Sequence, residues 1–192
     1  MTVDFTKFET DEHRFAFLNY RHFGEHSERN GGRAACGYFG YLNLREGLFE
    51  FSGFAGLKDP SAILAYAIIH AVRAGNEITG LANTQLRIFL RNRSAQHHIE
   101  KYLPAWELRG GCNQHGERVT EFSHWLDIRE MLKSKQVVLE LGKGRDFSGW
   151  FRDIDRCGEQ IGQKACELKA YTQDGIWPDS QTQGLAKKQA WR

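Results

Sequence analysis

The stretch AACGYFGYLNLREGLFEFSGFAG, residues 34–56, decides the predicted fold. Residues 34–44 and 48–56 are both rich in aromatic and apolar side chains, a composition that is typical of β-strands. A short turn at residues 45–47 separates the two segments. Because strands joined by so short a connection pair antiparallel to each other, the stretch predicts a β-hairpin.

The segments on either side of this hairpin extend the sheet. Before it, RFAFLNY at residues 14–20 alternates aromatic and aliphatic side chains as a strand does, which completes an antiparallel meander of three strands. After it, Pro60 suits the first turn of a helix, and the apolar stretch SAILAYAIIHAVRAG predicts a helix that ends near Gly75. The short apolar stretch EITGLAN, residues 77–83, then predicts a fourth strand, with which the sheet becomes mixed.

The rest of the chain contains several predicted helices and one more strand. We predict a fifth strand at residues 136–142 and helices at residues 84–92, 94–108 (interrupted at Pro104), 121–134 and 153–168. Apolar residues at steps of three and four mark one buried stripe on the last helix: Ile154, Cys157, Ile161, Ala165 and Leu168. We divide the chain into a polar leader, residues 1–13, one domain, residues 14–170, and a loosely ordered tail, residues 171–192, in which Trp177 and Trp191 are candidates for docking.

The composition is that of a globular protein without a strong bias toward one kind of partner. Of the 192 residues, 41% are hydrophobic and 26% are charged, and the formal net charge is +2. So weak a positive charge neither demands nor excludes nucleic acid. We find no apolar run of the roughly 18 residues that a membrane span needs, no secretory signal, and no CxxC pair. We therefore expect a cytoplasmic, reduced protein with no membrane partner.

The order of the predicted elements, three antiparallel strands followed by helix, strand, helices, strand and helix, resembles that of ribonucleases H. The similarity covers residues 14–168 and includes the stretches FAFLNY, GYFGYLNL, LANTQLR, WLDIREMLKSKQVVLELGKG and DIDRCGEQIGQKA. GKGR at residues 142–145, with Asp155 ten residues later, also resembles the family's Lys-Gly-His segment. The resemblance implies an α/β fold: a ribonuclease H-like mixed five-stranded sheet, three antiparallel strands then parallel strands, flanked by helices.

The resemblance also implies a metal site. Ribonucleases of this family hold two divalent ions with four carboxylates, which lie in the first strand, at the start of the first helix, after the fourth strand and on the last helix. Carried onto this chain, these places fall at Asn19, Ser61, Asn83 and Asp155. Three of them are neutral, whereas Mg²⁺ prefers charged oxygen ligands. The resemblance therefore implies the fold and argues against the activity. Asp155 remains a candidate metal ligand, and we expect no cofactor, or Mg²⁺ if the protein is active.

Each of these residues also has an ordinary structural interpretation. Asn83 is a good helix cap, and Asp155 suits the first turn of a helix, where the helix dipole favours an acid. Asn19 in an otherwise apolar strand has no such explanation, because a buried amide costs free energy unless it is paired. A shift in register would bring in Asp59 or Asp153 as an alternative carboxylate.

Basic residues give a second indication of function. Arg87, Arg91 and Arg93 follow the predicted fourth strand, and Lys143 and Arg145 follow the fifth. In the ribonuclease H fold these positions lie near the bound duplex, so the resemblance favours a face that contacts phosphates. A solvated charged face without a ligand is the alternative interpretation.

Three functions are compatible with the sequence. The preferred hypothesis is a ribonuclease H-like protein without catalytic activity that binds nucleic acid, such as an RNA/DNA hybrid or a duplex, or a protein partner. The second is an active Mg²⁺-dependent nuclease with a rearranged site made of Asp59, Asp153 and Asp155. The third is a protein-interaction scaffold without affinity for nucleic acid. Cleavage of a hybrid separates the first two, and salt-dependent binding of duplexes separates both from the third.

Overall fold

A computed structural model describes residues 14–23, 34–44, 47–57, 59, 62–80, 85–143, 145–167 and 176–178. The strands in these ranges are β1 (Arg14–Phe23), β2 (Ala34–Leu44), β3 (Gly47–Leu57), β4 (Leu86–Leu90), β5 (Val137–Leu141) and β6 (Ile176–Pro178). The helices are α1 (Ala62–Thr79), α2 (Ser94–His97), α3 (Leu103–Leu108), α4 (Phe122–Lys133) and α5 (Arg145–Glu167), and a π-helical turn, His98–Tyr102, joins α2 to α3.

The strands form one mixed sheet in the order β5-β4-β1-β2-β3-β6. β1, β2 and β3 are antiparallel neighbours, whereas β4 lies parallel to β1, and β5 lies parallel to β4. Parallel strands need a long crossover connection, and helices provide it before β4 and before β5. The predicted five-stranded mixed sheet flanked by helices is therefore confirmed, and β6 adds a short strand beside β3.

Aromatic rings that cover glycines on the opposite strand hold the hairpin of β2 and β3 in register. Gly40 is paired with Phe51, and Tyr38 is paired with Gly53. A Cβ atom at Gly40 would lie 2.4 Å from the Phe51 ring, and one at Gly53 would lie 2.5 Å from the Tyr38 hydroxyl oxygen. The alternation of glycine and aromatic residues in this stretch therefore specifies which residues face each other.

The region between the first helix and the fourth strand differs from the prediction. Helix α1 continues past Gly75 to Thr79. Gly80, the next residue, has a φ of +65°, the left-handed conformation that often terminates helices. The predicted strand at residues 77–83 is therefore wrong, because its first residues are helical. The predicted helix at residues 84–92 is also wrong, because β4 lies there and pairs with both β1 and β5. A short apolar run fits the period of a helix as well as that of a strand. Here residues 86–90 form a strand because they pair with both β1 and β5.

Helices cover both faces of the sheet and divide the core into two layers. α1 and α4 pack on one face, toward which Ala16 and Leu18 of β1 point. α5 packs on the other face, toward which Phe15 and Phe17 of β1 point. The Phe17 ring stacks on Trp150 of α5, with 5.2 Å between ring centroids. Alternate residues of β1 thus belong to different core layers, as the two-residue period of a strand requires.

The helical segment after β4 contains one wide turn. Pro104, the predicted point of interruption, lies in the first turn of α3, where a missing N–H is tolerated. In the π-helical turn, the buried residues His98 and Leu103 are five positions apart, a longer step than in an α-helix. The wider turn places Tyr102 outward, where its side chain is 50% exposed.

One buried carboxylate links α1 to α4. Glu121, directly before α4, is 1% exposed and accepts a hydrogen bond of 2.9 Å from the Tyr66 hydroxyl of α1. Burial raises the pKa of Glu121 to about 7, and the negative charge of Asp59 adds to this effect, although the hydrogen bond from Tyr66 opposes it. The His124 ring lies against Tyr66, and burial lowers the pKa of His124. The contact between α1 and α4 thus contains a group that titrates near neutral pH.

β6 lies within the segment that we predicted to be a loosely ordered tail. It pairs antiparallel with residues 53–55 of β3, so the backbone of Trp177, one of the two docking candidates, is part of the sheet. Residues 1–13 and the rest of the tail lie outside the described residues, and the domain boundaries stay a prediction. Within the part of the chain that the structure describes, every helix is too short or too polar to cross a membrane.

Candidate functional site

Asn19 and Asp155, two of the predicted site residues, meet at the middle of β1, directly after the part of this strand that pairs with β4. Asn19 follows Phe17 on the face of β1 that packs on α5, and Asp155 follows Ile154, a buried residue of α5. The side-chain amide of Asn19 donates a hydrogen bond of 2.6 Å to Oδ1 of Asp155. This contact satisfies the amide whose place in an apolar strand had no structural explanation.

Two arginines hold the other oxygen of Asp155. Arg91, the first residue after β4, donates a hydrogen bond to Oδ2, and Nη2 of Arg21 lies 3.5 Å from the same atom. The register of β1 and β4 ends at Leu90, which brings Arg91 next to Asn19. The Asp155 side chain is 18% exposed, whereas those of Arg21 and Arg91 are 49% and 53% exposed. The acid is therefore sheltered, and the two cations are half in solvent.

Asp155 lies in the interior of α5 and not in a first turn. The sequence predicted a helix start at residue 153, but α5 begins at Arg145, and Phe147 and Trp150 extend the buried stripe toward the start of the helix. The helix dipole acts within the first turn, so the interpretation of Asp155 as a first-turn acid is wrong. Its surroundings are set by the side chains of β1 and by Arg91.

The two other predicted site positions, Ser61 and Asn83, lie outside the described residues. The position of Asn83 relative to the fourth strand nevertheless differs from the prediction. The resemblance expects a carboxylate after the fourth strand, but Asn83 precedes β4, and β4 ends at Leu90. The corresponding place is therefore Arg91, because the strand begins several residues later than predicted. An arginine that contacts Asp155 is found where the family pattern expects an acid.

Four of the five predicted basic residues lie on or just after β4 and β5, and the fifth begins α5. Arg87 lies on β4 and donates hydrogen bonds of 2.9 and 2.6 Å to Glu140 of β5, so its charge is already paired. Arg93 and Lys143 are exposed beyond the carboxyl ends of β4 and β5. Arg145 is the first residue of α5, and its side chain lies outside the described part of the chain.

Arg21 is the main site residue that the sequence analysis missed. The predicted first strand ended at Tyr20, but β1 continues to Phe23. The two-residue period of a strand places Arg21 on the same face as Asn19, and this signal was available in the sequence. The aliphatic part of Arg21 passes beside α5, where a Cβ atom at Gly158 would lie 3.9 Å from its Cγ.

A cleft of about 550 Å³ opens at the same edge of the sheet, between α2 and the end of β5. It is lined by Arg93, Gln96, His97, Glu100, Glu140 and Leu141. Its volume is that of a small-ligand pocket, but its lining is more polar than such pockets usually are. Apart from Arg93, the sequence analysis missed this cleft because its two walls become neighbours only through the pairing of β4 with β5.

Comparisons with known proteins bear on the fold. No family model and no curated protein matches the sequence. A foamy viral protease-reverse transcriptase in complex with dsDNA is 14% identical, with a TM-score of 0.54 over 79% of this chain and 94% of its own. LC9-RNase H1, a type 1 RNase H with the type 2 active-site motif, is 11% identical, with a TM-score of 0.52 over 94% of this chain and 97% of its own. The protein has a ribonuclease H-like fold.

A third similar structure is much longer than this ribonuclease H-like chain. It is a foamy viral protease-reverse transcriptase in complex with an RNA/DNA hybrid, 16% identical, with a TM-score of 0.52 over 79% of this chain. The chain spans 20% of that protein. At such low identities, the similarity concerns the ribonuclease H-like architecture alone.

A ribonuclease H-like fold implies a divalent-metal site, but the residues around Asp155 do not fit a divalent cation. Both of its oxygens accept N–H groups, one from Asn19 and one from Arg91. Two arginines and one aspartate leave a formal charge of +1, which repels Mg²⁺. Among the described residues, no group of three or more His, Cys, Asp or Glu is placed to hold a metal ion. Asp59, Asp153 and Asp155 accordingly do not form the rearranged site that we considered.

Proposed function

We propose that this protein is a ribonuclease H-like module that binds nucleic acid without hydrolysing it. The observation that carries the proposal is the environment of Asp155, which contacts the neutral Asn19 and the cationic Arg91 and Arg21. Hydrolysis by two metal ions requires a set of carboxylates that offsets their charge. A site with an excess of positive charge favours the binding of phosphate instead.

Exposed cations at the same edge of the sheet support nucleic acid as the ligand. Arg21 and Arg91 are half exposed, and Arg93 and Lys143 are exposed beside them at the ends of β4 and β5. Since the net charge of the chain is only +2, this local concentration of arginine and lysine carries the proposal rather than the overall charge. Two similar structures are complexes with dsDNA and with an RNA/DNA hybrid, which makes these duplexes the first ligands to test.

The test combines a binding measurement with a cleavage measurement. Fluorescence anisotropy with a labelled RNA/DNA hybrid and with dsDNA, over a series of NaCl concentrations, reports affinity and its salt dependence. With three to four phosphate contacts, we expect the affinity to fall about 40- to 150-fold between 50 and 200 mM salt. We expect no cleavage of the hybrid with Mg²⁺ or Mn²⁺. If the native chain cleaved the hybrid and Asp155→Ala did not, the protein would be an active nuclease and the proposal would be wrong.

Matched arginine variants locate the binding face. Arg91→Gln and Arg93→Gln should each weaken binding and reduce the salt slope by about one unit. Arg109→Gln is the control, because Arg109 is an exposed arginine at the end of α3, on the opposite side of the sheet from α5. Equal effects of all three substitutions would indicate nonspecific attraction rather than a binding face at the ends of β4 and β5.

A protein-interaction scaffold is the second candidate function. Tyr102 and Leu108, 50% and 90% exposed, are the large hydrophobic residues on the surface of the described part of the chain. Single exposed hydrophobic residues are common on soluble proteins, so this observation carries less weight than the environment of Asp155. The scaffold becomes the better explanation if neither duplex binds at low salt.

A further inference from the structure

We propose that Arg21 and Arg91 form an exchangeable anion site in which the carboxylate of Asp155 occupies the place of a phosphate group. The inference rests on the proposed function and adds how the same site is regulated. Asp155 acts as an internal competitor for the two arginines, and not as a remaining metal ligand. The ligand class is a phosphate group, carried either by a nucleic acid or by a small molecule.

Among the described residues, the contacts of Arg21 and Arg91 with Asp155 use only part of their N–H donors. A guanidinium group offers five N–H donors in a planar fork that suits phosphate and carboxylate oxygens. Arg91 donates to Oδ2 of Asp155, and Nη2 of Arg21 is 3.5 Å away, beyond the length of a good hydrogen bond. With side chains 49% and 53% exposed, both forks are accessible to an oxyanion from solvent.

Asp155 keeps a partner when the arginines turn to a ligand. Its Oδ1 accepts the hydrogen bond of 2.6 Å from Asn19, which is independent of either arginine. Water reaches the arginine side of both ion pairs, which weakens them, and a phosphate that replaces the carboxylate restores the charge pairing of the two arginines. The aliphatic part of Arg21 lies beside Gly158 of α5, on the helix that carries Asp155.

The charges predict the direction in which removal of Asp155 changes anion binding. That direction separates competition by Asp155 from a role in which it only positions the arginines. Two arginines with Asp155 carry a formal charge of +1, and without the carboxylate they carry +2. Removing the acid therefore strengthens the binding of an anion. If Asp155 only fixed the arginines in place for a duplex, its removal would weaken binding.

The experiment compares Asp155→Asn with Asp153→Asn. Asp153 is the matched control, because it is another carboxylate of α5 and lies 3.4 Å from Arg156 rather than beside Arg21 or Arg91. The probes are inorganic phosphate, titrated by calorimetry at constant ionic strength, and a labelled RNA/DNA hybrid, titrated by anisotropy without divalent ions. We expect Asp155→Asn to bind both probes about three- to tenfold more tightly, which is the effect of one charge at about 6 Å in a largely aqueous medium, with an effective dielectric constant of about 40 to 80.

The remaining outcomes are distinct. Unchanged or weaker phosphate binding by Asp155→Asn overturns the inference, and the proposed function still holds if the native chain binds the hybrid in a salt-dependent manner. Tighter phosphate binding without any hybrid binding supports the anion site, assigns it to a small phosphate compound and contradicts the proposed function. Arg21→Gln provides a second variant, should Asp155→Asn not fold: we expect it to bind phosphate about tenfold more weakly, and unchanged binding overturns the inference.

Discussion

Glu121 is the residue whose protonation most directly links pH to stability. Its pKa is raised by burial to about 7 in the folded chain, above the ordinary value of 4.5. Between these two values the folded state holds a proton that the unfolded state has lost. The contribution of Glu121 to the free energy of unfolding is therefore fully present below pH 4.5 and is lost as the pH rises through 7. The difference between 4.5 and about 7, at about 1.4 kcal/mol for each pKa unit, sets an upper value of about 3.5 kcal/mol for this effect.

The prediction is that Glu121→Gln removes this part of the pH dependence. Glutamine keeps an acceptor for the Tyr66 hydroxyl and carries no charge, so the variant should be more stable than the native chain at pH 8 by about 1–3 kcal/mol and similar to it at pH 5. Urea denaturation at both pH values measures the free energy of unfolding. The exposed Glu159 of α5 supplies the control variant, Glu159→Gln. Parallel pH profiles for the native chain and Glu121→Gln would contradict the assignment.

Two partly buried histidines also make the stability depend on pH, so the native chain alone does not reveal the effect of Glu121. Burial lowers the pKa of His70 and of His124 below the ordinary value of 6.5. A buried base that resists protonation destabilises the fold as the pH falls through 6.5, which is opposite to the effect of Glu121. The difference between the native chain and Glu121→Gln isolates the contribution of the carboxylate.

At the scale of single residues, the sequence allowed one half of the site to be predicted. Asn19 and Asp155 were paired through a family resemblance, and they are in contact. Arg21 could have been found by continuing the two-residue period of the first strand past Tyr20, whereas the role of Arg91 was not predictable because it depends on where β4 ends. An error of three residues at a strand end is enough to move a side chain from a loop into a site.

Among the elements, α5 carries Asp155, and its distance from the sheet depends on Gly37 of β2. A Cβ atom at Gly37 would lie 3.1 Å from Cγ2 of Ile161 and 3.2 Å from the backbone nitrogen of Gly162. An added methyl group must therefore push α5 outward. Because Asp155 lies on the same helix, such a displacement also changes its contacts with β1.

Gly37→Ala is accordingly expected to destabilise the fold by about 1–3 kcal/mol, the usual cost of overpacking a core. Gly75→Ala is the matched control. It lies inside α1, where a Cβ atom would meet its nearest neighbours at 3.7 to 3.9 Å, in ordinary contact. Alanine favours helices, so Gly75→Ala should stabilise the chain by up to about 1 kcal/mol. Urea denaturation of both variants provides the test, and equal stabilities would show that α5 can adapt to the added atom.

The prediction of elements succeeded where long patterns repeat and failed where they are short. The stripe of Ile154, Cys157 and Ile161 marked α5, and these residues do pack on the sheet. β4 has only five residues, and its apolar side chains fit a helix as well as a strand. Its identity comes from β1 and β5 on either side, which are distant in sequence. Local sequence contains no information about such neighbours.

For the molecule as a whole, the lack of a carboxylate cluster among the described residues predicts binding that does not depend on metal. We expect the affinity for an RNA/DNA hybrid in Mg²⁺ and in EDTA to agree within about twofold when the ionic strength is equal, because the ligand meets arginines rather than ions. Anisotropy titrations in the two buffers measure this. If Mg²⁺ strengthened hybrid binding by the native chain but not by Asp155→Ala, the site would hold a metal ion and the prediction would be wrong.

The overall arrangement was predictable because it depends on the order of elements rather than on their exact ends. Three apolar strands joined by short connections, followed by helices that alternate with strands, leave few possible topologies. The misplaced fourth strand did not change that order, since a helix still precedes β4 and helices still follow it. The site required the exact ends of β1 and β4, and these are set by pairing across the sheet.

β6 has a consequence for how the chain is synthesised. It pairs with residues 53–55 of β3, so the hydrogen-bonding groups of this sheet edge gain their partner only when residue 178 has left the ribosome. Until then this edge is open to pairing with another chain, which is a common route to aggregation. A protein shortened after residue 170 would keep Asp155 and its arginines but would permanently lack this cover.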